Sequence, residues 1–436
     1  MSDVFKGTPY KFQLDGIKYA LMHKYILNSS PMGAGKCLMA VVPALMAGGQ
    51  TLIVCPSYLK RNWEREIHKW AKHPQKVLVI TTSKHIKKIS DEYSFVIMSY
   101  EMLKYLDYPF RNVIMDECQA IKNRTSLRSR NFFKYLRKHR ARHFFALSGT
   151  PVTKNITDWF SILKILSLCP HGTNGIPMHM TFQEFADTFA NVTVMNTRFF
   201  DKRIKAVRDL EIKKYSGVKN LEQLYTFLQD KYVQLSLEEA NLPPLLIKHF
   251  YTEGKSTVEE EHSLSILSSM TSPTIPITTG KSMSAESKAE KTAAYVLELF
   301  DLHGGPIIVF SDHLKPIGIM EEIFKKKNLN FKIIQGSTPV DKRQAIVDDL
   351  QNEKIDGILA TIGSTNTGYN MTKSCHAVVN DLSWDHATNQ QCFKRLHRIG
   401  QNKLVTIHIH NSSPVDEKIN NILLDKQEDL GRFYAF

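Results

Sequence analysis

Apolar runs of three to five residues, rich in Val, Ile and Leu, recur along this chain at intervals wide enough to hold a helix. Thr51-Leu-Ile-Val-Cys55, Lys76-Val-Leu-Val-Ile80, Phe95-Val-Ile-Met98, Asn112-Val-Ile-Met115 and His143-Phe-Phe-Ala-Leu147 form one set. Pro306-Ile-Ile-Val-Phe310, Phe331-Lys-Ile-Ile334, Gly357-Ile-Leu-Ala360, Ala377-Val-Val379 and Val405-Thr-Ile-His-Ile409 form a second. Runs this short and β-branched read as strands, and a strand apolar at every position is covered on both faces. Between them lie stretches of helical period, such as Arg61 to Trp70, where Trp63, Ile67 and Trp70 share a face. Alternation of this kind predicts parallel sheets flanked by helices. Two sets predict two α/β lobes, residues 1–165 and 288–436.

Between the sets the pattern changes. After about residue 155 the strand runs fade, and Phe, Leu and Lys/Arg come at helical intervals up to about residue 250. Asp201 to Arg208 is basic, and Met270 to Ser287 is rich in Ser, Thr and Pro, the composition of a linker. Residues 166–287 are therefore expected to be a helical insertion and linker. A chain of 436 residues is too long for one ordinary core, which agrees with several domains.

The formal net charge of +14 favours a polyanionic partner, nucleic acid before membrane. The six cysteines form no C-x-x-C pair, and no His cluster stands at zinc spacing, so no structural metal is expected. No apolar run is long enough to cross a membrane, and Met1 to Gly7 has no apolar signal core. The expectation is an intracellular protein with reduced thiols, cytoplasmic or at the nucleoid and not secreted.

Met32-Gly-Ala-Gly-Lys-Cys37 precedes an apolar stretch able to open a helix. A glycine loop entering a helix N-terminus cradles phosphates with backbone N–H groups, and a lysine neutralises the outer ones. Against the full signature G-x-x-x-x-G-K-[ST], Ser30 replaces the first Gly and Cys37 the last hydroxyl residue. Downstream, Val113-Ile-Met115 delivers Asp116 and Glu117 to a strand end. Asp116 is suited to hold Mg²⁺ through water, and Glu117 to orient or deprotonate an attacking water. Cys37 is the anomaly, because Mg²⁺ prefers oxygen ligands to a thiol. Near the end of the chain, Arg395 and Arg398 are three residues apart, a spacing that puts both on one face of a helix. Their planar forks suit phosphate oxygens.

These motifs, with others, resemble the Swi/Snf family of superfamily-two helicase-like ATPases. Tyr10-Lys-Phe-Gln13 is similar to its adenine-reading Q motif, and Met32 to Lys36 to its P-loop. Leu52 to Ser57 with Asn62, Trp63 and Glu66 resembles motif Ia, and Ser99-Tyr-Glu101 motif Ib. Asp116 to Asn123 resembles motif II, and Leu147 to Pro151 with Asn155 motif III. In the second lobe, Ile308 to Ser311, Gln335 to Thr338, Thr361 to Thr372 and Gln391 to Gln401 resemble motifs IV to VI. Two departures stand out: Thr365-Asn366 in place of small glycines in motif V, and Lys231 to Ser236 in place of a basic Arg-Arg-x-Lys element.

The resemblance implies two RecA-like lobes with ATP and Mg²⁺ between them. It implies nucleotide contacts from Gln13, Met32, Gly33, Ala34, Gly35, Lys36 and Cys37. Catalytic roles fall to Lys36, Asp116, Glu117, Gln391, Arg395 and Arg398, with Arg398 as the arginine finger. It implies DNA contacts from Ser57, Lys60, Ser99, Gly336, Ser337, Thr361 and Asn370, residues suited to phosphates rather than base edges. The basic run Arg124 to Arg142 adds a candidate secondary DNA surface. The implied activity is that of a DNA-dependent ATPase, working as a monomer, that translocates on duplex or branched DNA and remodels junctions. A remodeller that strips proteins from DNA, and a DNA-binding module with a weakened ATP site, are the alternatives.

Overall fold

The computed structural model describes residues 3–151, 155–169, 175–201, 206–236, 240–252, 275–365, 368–413, 416–421 and 423. The chain divides into two compact units, residues 1–239 and 240–428.

The first unit is built on a seven-stranded sheet. Its strands are β1 (Tyr25–Asn28), β2 (Thr51–Cys55), β3 (Val77–Val79), β4 (Phe95–Ser99), β5 (Asn112–Asp116) and β6 (His143–Leu147), with the short β9 described below. The spatial order is β3-β4-β2-β5-β6-β1-β9, and every pairing is parallel. Five of these strands are the runs expected from sequence. β1, Tyr25-Ile-Leu-Asn28, was not among them. Alternate residues feed opposite cores, as a pleat requires. On β2, Leu52 and Val54 enter one cluster and Ile53 and Cys55 the other. One face is covered by helices α1 (Lys11–Met22), α2 (Lys36–Ala47) and α3 (Lys60–Trp70). The other carries α4 (Leu127–His139), α5 (Phe160–Leu166), α6 (Phe182–Phe189) and α7 (Leu221–Leu228).

The stretch between the expected lobes contains helices α6 and α7, and it also contains strands. β7 (Asn191–Asp201) and β8 (Ala206–Ser216) form an antiparallel hairpin that pairs with neither sheet. Lys202 to Lys205, part of the basic stretch noted in the sequence, lie outside the described residues. β9 (Tyr232–Val233) extends the first sheet beside β1, so this unit reaches well past residue 165. The linker expected up to Ser287 is corrected: Ile275–Ser287 is an α-helix, while Met270 to Thr274 lie outside the described residues. Pro276 misled the composition argument; it stands in the first helical turn, where its missing N–H has no partner to lose.

The second unit has a six-stranded parallel sheet, ordered β10-β15-β14-β11-β13-β12. Its strands are β10 (Leu245–Tyr251), β11 (Ile307–Ser311), β12 (Phe331–Ile334), β13 (Gly357–Thr361), β14 (His376–Val379) and β15 (Val405–Asn411). Helices Ala289–His303 and Leu314–Lys326 pack on one face, Val340–Gln351 and His386–Phe393 on the other. No helix among the described residues is long and apolar enough to cross a membrane.

Candidate nucleotide and DNA sites

Residues at the carboxyl ends of parallel strands are where ligands of such sheets bind. After β1, the loop to α2 turns through Gly33 (φ 84°) and Gly35 (φ 82°), a region open to glycine at little cost. A side chain at Gly35 would place its Cβ 2.5 Å from Gln13 Nε2. Gly35 caps α2 with no side-chain hydrogen bond, so the first-turn N–H groups are not claimed by a cap. Such a helix start attracts phosphate oxygens, and a nucleoside triphosphate fits it. The Lys36 ammonium donates to the carbonyls of Ser30 at 2.8 Å and Pro31 at 3.1 Å. Gln13 is buried, donates from Nε2 to the Ala34 carbonyl at 2.9 Å and accepts from the Tyr10 N–H at 3.0 Å, tying α1 to the loop. Ser30, at the missing glycine, is buried and accepts from the Leu235 N–H at 3.2 Å. The departure at Lys231 to Ser236 thus has a structural role: Lys231 is buried, and β9 and Leu235 buttress β1 and the loop. Cys37 follows Lys36 in the first turn of α2, half-buried, with Met32 and Ala34 in the preceding turn.

Asp116 ends β5, as expected. Trp63 Nε1 donates to its Oδ2 at 2.8 Å, and Tyr100 donates from its hydroxyl to its carbonyl at 2.6 Å. Burial, and next the charge of Glu117, raise the Asp116 carboxyl to about 7, while the Trp63 bond and Lys36 pull the other way. A cation beside this carboxylate would favour its ionised form, which fits a water-bridged Mg²⁺. Glu117 takes a left-handed backbone (φ 51°), a strained conformation for a side-chain-bearing residue. Gln119 Nε2 donates to Glu117 Oε2 at 2.6 Å; Ser148 Oγ donates to Gln119 Oε1 at 2.7 Å and accepts from the Thr150 N–H at 3.0 Å. A hydrogen-bonded chain thus runs from the candidate catalytic carboxylate to the loop after β6. Sequence reasoning quoted Trp63, Gln119 and Ser148 inside motifs without giving them roles. The signal for Trp63 was available: an indole N–H on a buried helix face requires an acceptor.

In the second unit the expected helical face for the arginine pair is corrected. The helix His386–Phe393 holds the buried Gln391 but ends before both arginines, which lie in the following turns. Their side chains are anchored elsewhere. Arg395, buried, donates from Nε to the Thr365 carbonyl at 3.2 Å, and Arg398 donates from a terminal nitrogen to the Tyr369 carbonyl at 3.3 Å. The Arg395 carbonyl accepts the Met371 N–H at 3.0 Å. Two turns are thereby laced to the segment that resembles motif V. Thr365 is fully buried against Cys392, a reason for a hydroxyl there in place of glycine; Asn366 lies outside the described residues.

The candidate DNA contacts other than Lys60 lie at or beyond strand ends. Ser57 is exposed just after β2 and Ser99 is buried at the end of β4. Gly336 and Ser337 are exposed after β12, Thr361 ends β13, and Asn370 is exposed beyond it. Lys60 differs from the expectation of a strand-facing cation. It is buried, donates to the Ile80 carbonyl at 3.0 Å, and burial lowers its pKa. Arg343 was not anticipated: its guanidinium donates to the carbonyls of Gln335, Gly336, Thr338 and Ser364, fixing the Gly336-Ser337 loop. On α4, Arg128 pairs with Glu101 and Lys138 with Asp107, which removes two of the cations counted in the basic run.

The SNF2-related domain matches residues 17–253 and the helicase conserved C-terminal domain residues 290–400. The chain is 27% identical over 440 residues to the mouse DNA annealing helicase and endonuclease ZRANB3, covering 94% of this chain and 39% of that protein. It is 24% identical to the uncharacterized ATP-dependent helicase MG018 of Mycoplasma genitalium, covering 96% of this chain and 41% of that one. It is also 24% identical to the putative ATP-dependent helicase/translocase YwqA of Bacillus subtilis, covering 98% and 49%. The chain spans less than half the length of these curated relatives. Among solved structures, the Sulfolobus solfataricus SWI2/SNF2 ATPase core in complex with dsDNA matches at 20% identity and a TM-score of 0.44, covering 97% of this chain and 92% of that one. With the first of these domains matching more than half of its residues, the chain belongs to the SNF2 family of helicase-like ATPases.

Proposed function

We propose that the chain is a DNA-dependent ATPase that translocates on duplex or branched DNA and remodels junctions by branch migration, fork regression or annealing. The observation that carries this is the first unit's nucleotide constellation: an uncapped helix start after two left-handed glycines, Lys36 at its head, and the Asp116-Glu117 pair wired through Gln119 to Ser148. A similarity spanning 94% of the chain to a protein named as a DNA annealing helicase supports the branched-DNA version.

In this mechanism the α2 N–H groups receive the ATP phosphates, and Lys36 exchanges the Ser30 and Pro31 carbonyls for phosphate oxygens. Asp116 would hold Mg²⁺ through water, and the metal when bound would supply charge neutralisation. Glu117, oriented by Gln119, positions the attacking water and receives its proton. Arg398, with Arg395 and Gln391, neutralises charge on the transferring phosphoryl group; a finger of this kind contributes about a thousandfold or more. Ser57, Ser99, Gly336, Ser337, Thr361 and Asn370 contact the DNA backbone.

The test is ATP hydrolysis measured without DNA and with single strand, linear duplex, fork and four-way junction. The expected order places fork and junction above linear duplex. Hydrolysis unmoved by every DNA would refute the motor, and equal stimulation by duplex and junction would refute branch specificity.

A further inference from the structure

The first unit holds a cavity of about 960 Å³ between α4, α5 and the Met178-His179 segment. Its lining includes the apolar side chains of Phe133, Phe160 and Met178. Arg130, Lys134 and Arg137 line its rim, at spacings of four and three residues that set them on one face of α4. All three are exposed, and none forms an ion pair with a described residue, although their neighbours Arg128 and Lys138 do. No Asp or Glu is among the described residues that line the cavity. An independent observation lies on α5. Ser161 also lines the cavity; it is only 9% exposed, and its hydroxyl has no hydrogen-bond partner among the described residues. Ser167, just after the same helix, bonds back to the Leu163 carbonyl instead. An unpaired buried hydroxyl is costly, and a ligand that satisfies it removes that cost.

We propose that this cavity receives an unpaired base of single-stranded DNA, with the strand's phosphates lying along Arg130, Lys134 and Arg137. Each part has a reason. Four residues of helix advance about 6 Å, close to the reach between neighbouring phosphates of an extended strand. Guanidinium forks match phosphate oxygens, aromatic rings provide a face on which any base stacks, and Ser161 meets a polar base edge. A duplex keeps its bases paired inside and can offer this site phosphates alone, so the cavity selects for a splayed strand. An acidic polypeptide would meet the cations, but it supplies no flat ring matched to a hydroxyl and two phenylalanines. The inference rests on the proposed junction activity for the origin of the strand, since displaced single strands arise where branches move.

The experiment uses the full chain without ATP. An oligothymidylate carrying 5-iododeoxyuridine is irradiated with the protein in the presence of excess blunt duplex, and cross-linked peptides are mapped by mass. The expected adducts fall in the peptides that contain Phe133 or Phe160. Arg130→Ala with Arg137→Ala weakens oligothymidylate binding at least tenfold and makes its salt slope shallower by about 1.4, at about 0.7 per lost phosphate contact. Ser161→Ala leaves the thermal midpoint equal or higher and weakens the oligonucleotide several-fold. Adducts confined to other peptides would overturn the proposal. So would a double variant that loses poly-glutamate binding while keeping its oligonucleotide affinity, since the occupant is then a polypeptide. If the wild type hydrolyses no ATP on any DNA, the motor reading fails while the cross-linking result still decides this site.

Discussion

In the first unit, Lys36 heads a helix whose start is shaped by two left-handed glycines, and its ammonium rests on the carbonyls of Ser30 and Pro31. In the second unit, Arg395 and Arg398 lie past the end of a helix, in turns held by the carbonyls of Thr365 and Tyr369. Backbone conformation shapes the first region, while side chains lacing one loop to another shape the second. The difference teaches where each region is vulnerable. The first fails when its backbone or its cation changes. The second depends on the two arginines whose side chains hold its turns, to Thr365 and to Tyr369.

Three substitutions sharpen this contrast, in descending size of effect. Lys36→Ala removes the cation matched to the outer phosphates. Nucleotide binding measured by a fluorescent ATP analogue is expected to vanish, and hydrolysis with it; retained affinity would break the assignment of binding to the first unit. Gly35→Ala imposes a left-handed conformation on a residue with Cβ and crowds Gln13. It is expected to lower stability by about 1–2 kcal/mol in chemical denaturation and to weaken ATP without altering the maximal rate per bound nucleotide. A neutral result would mean that the loop does not need its observed shape.

The smallest effect concerns the second unit's fold rather than its chemistry. His376, His408 and His410 lie on β14 and β15; His376 bonds His408, His408 bonds Tyr295, and His410 bonds Thr292 and Thr252. Burial first, then the charges of Lys248, Lys288, Lys291 and His303, push His376 and His408 down to about 4 and His410 to about 3. Between pH 6.5 and about 4 the unfolded chain binds protons that the folded unit refuses, so stability falls as pH falls through that window. His408→Gln keeps hydrogen-bonding capacity and removes one titrating ring. The thermal midpoint of the variant is expected to drop less between pH 7 and 5 than that of the wild type; an identical drop would remove His408 from the cause.

The same contrast explains what was legible in the sequence. Strands buried on both faces announce themselves, since every position must be apolar, and ten of them were found with boundaries close to those observed. β1 and β9 are short and gain their stability from neighbours, a tertiary effect that composition does not carry. The β7-β8 hairpin pairs only with itself and so lacks the continuous apolar pattern of the other strands. Lys36, Asp116 and Glu117 were legible because a phosphate loop and a strand-end carboxylate pair are local features. The setting of Arg395 and Arg398 was not: spacing alone predicted a helix face, but the turns that hold them depend on carbonyls some thirty residues earlier. Arg343 and Gln119 were missed for the same reason, since each acts by holding segments distant in sequence.

The central claim is that, in the proposed ATPase reaction, Lys36 serves nucleotide binding and Arg398 serves charge neutralisation. Arg398→Ala, assayed for nucleotide affinity and for DNA-stimulated hydrolysis in the same preparation, tests it most directly. The account predicts affinity close to wild type with hydrolysis reduced about a thousandfold. Hydrolysis left intact, or lost only in proportion to nucleotide binding, would contradict it.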